Sequence, residues 1–77
     1  MEGKQDLRVI KTRNNIRSSF IQLLREKDFN EITIQNILDK ALINRKTFYN
    51  HYQDKYDLAE QLILEFYNEF TSFFQMR

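Results

Sequence analysis

The 77-residue chain has no cysteine, no proline, no tryptophan, one glycine and one histidine. Without cysteine there can be no disulfide and no thiolate metal site, and a reducing cytoplasm is the default setting. Without proline, and with the single glycine at Gly3, nothing from Lys4 onward forbids helix. One histidine, no cysteine and no glycine-rich phosphate loop leave no nucleophile–base pair to assemble. The acids Glu60, Glu65 and Glu69 have no histidine with which to share a metal. The expectation is therefore a chain that is not an enzyme and needs no cofactor or metal. No apolar run approaches the ~20 residues that span a bilayer, and no signal-peptide pattern is present. A cytoplasmic protein without a membrane partner is expected.

Core material is plentiful: seven Phe, four Tyr and many Ile and Leu. A domain this small is marginal and needs a dense core or a partner. With 42% hydrophobic and 30% charged residues the chain reads as one globular domain, not a disordered one. The net charge of +1 hides a division along the chain. Residues 1–27 carry seven Lys or Arg against three acids, and residues 41–55 carry three against one. Residues 56–77 carry one against four. A basic front and acidic rear suit a surface that meets a polyanion on one side, although solvated helix faces account for such a split equally well.

Apolar spacing predicts an all-α fold of four helices, over about 8–27, 34–40, 45–52 and 55–75. Ile16, Phe20, Leu23 and Leu24 mark one face of the first helix, with Val9 in register. "DFNEI" is a connector in which Phe29 and Ile32 plug the core. Thr33 and Asn44 are the N-caps of the second and third helices. Ile34, Ile37, Leu38 and Ala41 point inward. On the third helix Phe48 and Tyr52 share the inner face, Lys46 and Asn50 the opposite one, with Thr47 and Tyr49 on the flanks. The fourth helix carries the stripe Ala59, Ile63, Phe66, Phe70 and Phe73, with Leu62 and Tyr67 beside it.

A short helix (34–40), the turn "ALIN" and a second helix (45–52) with a polar outer face form a helix-turn-helix pattern. The longer string "ITIQNILDKALINRKTFYNHYQDKYDL", residues 32–58, resembles the TetR family of bacterial transcription regulators. The resemblance runs from about Arg13 to Ile63 and is sharpest in the spacing of Thr47, Tyr49, His51, Tyr52 and Lys55. It implies a homeodomain-like three-helix DNA-binding bundle, with a long fourth helix leading to a separate C-terminal domain. That domain, absent from this chain, would bind an effector ligand or protein partner and make the full-length protein a homodimer.

The resemblance further implies a double-stranded DNA operator as partner, and most often repression. Thr33 would cap the second helix and touch a phosphate. Thr47, Tyr49, His51 and Lys55 would contact the DNA backbone, with Asn44 in place of a usual Ser cap. Lys46 and Asn50, with Gln35 and Arg45 nearby, are the expected base-edge contacts, since Lys reads guanine and Asn or Gln reads adenine.

Two positions depart from the family pattern. Leu42 stands where glycine is common in the turn. Either the turn is built differently, or burial of Leu42 offsets a strain of roughly 1 kcal/mol or more. Lys46 also replaces a common glycine and adds either a phosphate or a guanine contact. Arg13 and Arg17 face phosphates or solvent. Lys4, Arg8 and Lys11 form a basic arm or a disordered tail. The aromatic end of the fourth helix exceeds what three short helices can cover, which suggests a fragment of a longer chain or weak self-association. It also supports an alternative function, a helical protein-interaction module.

Overall fold

The computed structural model describes the backbone of residues 2–75 and the side chains of residues 7–75. Four α-helices follow one another: α1 (Glu2–Glu26), α2 (Ile34–Ala41), α3 (Arg45–His51) and α4 (Lys55–Gln75), with a 3-10 turn at Phe29–Glu31. The fold is all-α, as the apolar periodicity predicts.

The core is one cluster. Ile16, Phe20 and Leu23 of α1 meet Ile37 and Leu38 of α2, Phe48 and Tyr52 at α3, and Leu58 and Leu62 of α4. Ile32 plugs the same cluster from the connector, and half-buried Phe29 packs edge-on to Phe20 and Tyr56. Burying these side chains holds the three short elements around α1. The two short helices cannot persist alone, because a helix under ~12 residues is marginal in water.

Caps set the boundaries. Thr33 Oγ1 accepts from the Asn36 N–H at 3.0 Å, and Asn36 Oδ1 accepts from the Thr33 N–H at 3.0 Å, a reciprocal capping box. Asn44 Oδ1 accepts from the Thr47 N–H at 2.8 Å. Asp54 Oδ1 does the same for the Asp57 N–H at 2.8 Å, opening α4. The carbonyl of Ala41, at the end of α2, accepts from Asn15 Nδ2 of α1 at 2.8 Å, which fixes the turn against the bundle.

Three expectations change. First, α1 begins at Glu2, not near Arg8, so Arg8 and Lys11 lie exposed on a helix and not on an arm or tail. The side chain of Lys4 is outside the described residues. Second, Leu24 is 41% exposed, so the inner face of α1 ends at Leu23. Third, α4 turns a different face inward. Leu58 and Leu62 are buried, whereas Ile63, Phe66, Phe70 and Phe73 are all exposed. Glu65 continues the inner face, in place of the expected apolar stripe. It holds Arg13 at 2.7 Å and Arg17 at 3.2 Å, so α1 and α4 meet through charge there. Both arginines are thereby engaged within the fold.

Candidate nucleic-acid interface

The helix-turn-helix is α2, the turn Leu42–Asn44, and α3. Its bend is made by Leu42, which sits in the left-handed region at φ 59°, ψ 47°. The N–H of Ile43 reaches back to the Leu38 carbonyl at 3.1 Å, closing the helix end. This is the geometry that glycine normally supplies. Leu42 adopts it while 88% exposed, so neither offered explanation holds: the turn is not rebuilt, and no burial offsets the strain.

With Phe48 and Tyr52 anchored in the core, α3 presents Arg45, Lys46, Tyr49 and Asn50 to solvent. No hydrogen bond or ion pair engages the side chains of Lys46 or Asn50 among the described residues. They project as a free cation and a free amide on the same face, about 40° apart around the axis. Tyr49 is 48% exposed and leans edge-on against Phe48, ring centres 5.4 Å apart. Thr47 is half-buried on the flank.

The expected site residues on α2 and the turn have internal duties as well. Thr33 and Asn44 are exposed but already act as caps. The N-terminal ends of α2 and α3 are joined by Gln35 and Arg45, with Arg45 Nη2 donating to Gln35 Oε1 at 3.1 Å. Gln35 Nε2 in turn donates to Asp39 Oδ1 at 2.9 Å.

His51, the last residue of α3, is partly buried beside Tyr52, ring centres 6.2 Å apart. Desolvation, and secondarily the nearby Arg13 cation, push its pKa below 6.5. At neutral pH it is an uncharged donor–acceptor and not a cation. Tyr52 is shifted upward, chiefly by burial. The Arg13 guanidinium is held above its usual value, foremost by the Tyr52 hydroxyl and then by Glu65, against an opposing desolvation.

Lys55 is turned inward. Its ammonium donates to the carbonyls of Phe29 and Ile32, each at 2.7 Å, and lies 3.4 Å from that of Asn30. It also sits 4.5 Å from the centre of the Phe29 ring and 5.6 Å from that of Tyr56. An ammonium has three protons, and three carbonyls surround this one. In this structure Lys55 clamps the connector to α4, spending two of its three protons on the short bonds to Phe29 and Ile32.

Asp39, Asn15 and Glu65 are the contributors that sequence reasoning missed. The Gln35–Asp39 spacing of four on one helix was a usable signal. The other two act across elements, where spacing is silent.

Among the described residues no helix is long and apolar enough to cross a membrane. No solved structure matches the chain. It is 41% identical over 63 residues to an uncharacterised HTH-type transcriptional regulator, YxbF, of Bacillus subtilis (strain 168). That match covers 80% of this chain but 17% of the relative's length. A profile described as bacterial regulatory proteins, tetR family, matches residues 18–62, from the core of α1 through α2, the turn and α3 into α4. With that match over more than half its length, and with the helix-turn-helix just described inside it, the chain belongs to the tetR family of bacterial regulatory proteins.

Proposed function

We propose that the chain is the DNA-docking module of a transcription regulator, with α3 lying in the major groove of a double-stranded operator. The observation that carries this is the outer face of α3. Arg45, Lys46, Tyr49 and Asn50 are exposed on an anchored helix, and Lys46 and Asn50 have no side-chain partner among the described residues. Those two groups are of the types that pair with guanine and adenine edges. Thr47 and His51 flank that face on α3 and, with Tyr49 on it and Thr33 capping α2, would supply neutral donors for phosphate oxygens. Membership of a family of regulatory proteins, and a relative named as a transcriptional regulator, support the same reading.

Repression is the simplest outcome of such docking, since an occupied operator excludes polymerase sterically. The module acts in pairs on a two-fold operator, with dimerisation and effector binding in further parts of the full-length protein.

Titration of duplex DNA of random sequence, at low and moderate salt, tests the proposal. Phosphate neutralisation requires log affinity to fall linearly with log salt, by about 0.9 per phosphate contacted. A weak, salt-independent response would overturn it. That result would favour a protein-interaction module built on the exposed Phe66, Phe70 and Phe73 of α4.

A further inference from the structure

We infer that Asp39, Gln35 and Arg45 form one reading unit, in which Arg45 contacts a guanine and Gln35 positions it instead of reading a base itself. The inference rests on the DNA docking proposed above. Three exposed side chains from two helices are linked head to tail, at 2.9 Å from Gln35 Nε2 to Asp39 Oδ1 and 3.1 Å from Arg45 Nη2 to Gln35 Oε1. Chemistry fixes the order. An ionised carboxylate only accepts and a guanidinium only donates, so the amide between them must turn its NH2 toward Asp39 and its oxygen toward Arg45. The reverse orientation would set acceptor against acceptor and donor against donor.

The bond to Gln35 uses one Nη2 proton of Arg45. Each Nη2 proton belongs to a different bidentate edge of the guanidinium, one shared with Nε and one with Nη1. Whichever is used, the other edge stays complete, and it matches guanine O6 and N7. A free arginine on a surface loses rotamer freedom when it binds. One already held by a neighbour loses less, so discrimination rises without any new base contact. Gln35 meanwhile has both ends of its amide engaged and is poorly placed to grip adenine.

The test uses the full-length protein. Bound sites are selected from random duplex DNA for the wild type and four variants, with thermal melting to confirm that each folds. Arg45→Ala should abolish preference at one G·C pair, by about 5- to 150-fold, the range for a bidentate arginine–guanine contact. Gln35→Ala should weaken preference at that same pair by about 2- to 10-fold, as expected when one side chain loses its preorganisation. Asp39→Ala removes a negative charge, so affinity for random DNA should rise slightly while preference at that pair falls. A purely electrostatic role would not separate the two. The isosteric exchange Gln35→Glu with Asp39→Asn reverses donor and acceptor between positions 35 and 39 and keeps the net charge. It should restore the preference.

If Gln35→Ala acts at a base pair other than that of Arg45, or the isosteric exchange fails to rescue, the positioning role is overturned while DNA docking stands. A wild type that enriches no sequence overturns the docking, and this inference with it.

Discussion

At Leu42 two residue-level preferences oppose each other and neither is satisfied. The left-handed backbone costs a non-glycine residue roughly 1–2 kcal/mol, and an 88% exposed side chain gains no burial in return. Glycine removes the steric cost but adds unfolded-state entropy of roughly 0.5–1 kcal/mol. Leu42→Gly should therefore stabilise the fold by about 0.5–1 kcal/mol, a rise of a few degrees in Tm for a domain of this size. Thermal melting checks it; a lower Tm would mean that Leu42 makes a contact absent from this structure. His51 sets a second conflict, between charge and burial. Its folded pKa is below 6.5, so as pH falls through 6.5 the unfolded chain takes up the proton first. Stability present above pH 6.5 should drain away as pH drops toward the folded value. The imidazole proton shifts in NMR should titrate with a midpoint under 6.5, and replacing His51 by Asn should flatten that limb of the stability curve. A midpoint above 6.5 would contradict the burial argument.

At the scale of elements, Lys55 joins the connector to α4, and its loss should be felt in folding. Lys55→Met keeps the apolar stem but leaves the carbonyls of Phe29 and Ile32 without their charged donor. Hydrogen bonds to charged groups contribute roughly 1.5–3 kcal/mol each when well desolvated. These are partly buried, so a total near 2 kcal/mol is expected in chemical denaturation. DNA affinity corrected for the folded fraction should stay unchanged; a uniform loss of corrected affinity would restore a direct phosphate contact. This clamp was not legible in the sequence, where the family resemblance implies a phosphate contact for Lys55 and the carbonyls it meets lie 23 to 26 residues away. The bounds of α2 and α3 were legible, because Thr33 and Asn44 announce them with local cap chemistry. The start of α1 was not: its first turns show no apolar stripe. The inner face of α4 misled for another reason. Two stripes lie about 100° apart on that helix, Leu58–Leu62–Glu65 and Ala59–Ile63–Phe66–Phe70. Apolar periodicity selects the second, whereas the fold selects the first because Glu65 answers Arg13 and Arg17. The outward face of α3 was legible because Phe48 and Tyr52 leave Lys46 and Asn50 nowhere else to point. The link from Gln35 to Arg45 crosses ten residues and two helices, beyond the reach of local spacing.

On the scale of the molecule, one-sided charge separates the docking reading from a merely solvated surface. Four acids against one cation occupy residues 56–77, while α3 opens with Arg45 and Lys46. If the basic side alone meets DNA, charges on the two sides must differ in their effect on binding. Glu69 lies fourteen residues beyond Lys55 on α4, about 21 Å along the axis at ~1.5 Å per residue. That is about two Debye lengths at 0.1 M salt, where its field is largely screened. Lys46 stands on the face proposed to enter the groove. Lys46→Gln should therefore lower affinity for random duplex DNA and reduce the slope of log affinity against log salt by up to about 0.9. Glu69→Gln, which changes net charge by the same magnitude, should leave both within error. Titrations of the two variants at several salt concentrations decide the matter. Equal and opposite effects would show that only net charge counts, and that α3 has no privileged contact with the duplex. A full 0.9 drop with sequence preference intact would assign Lys46 to a phosphate; a smaller drop with loss of one G·C preference would assign it to a guanine edge.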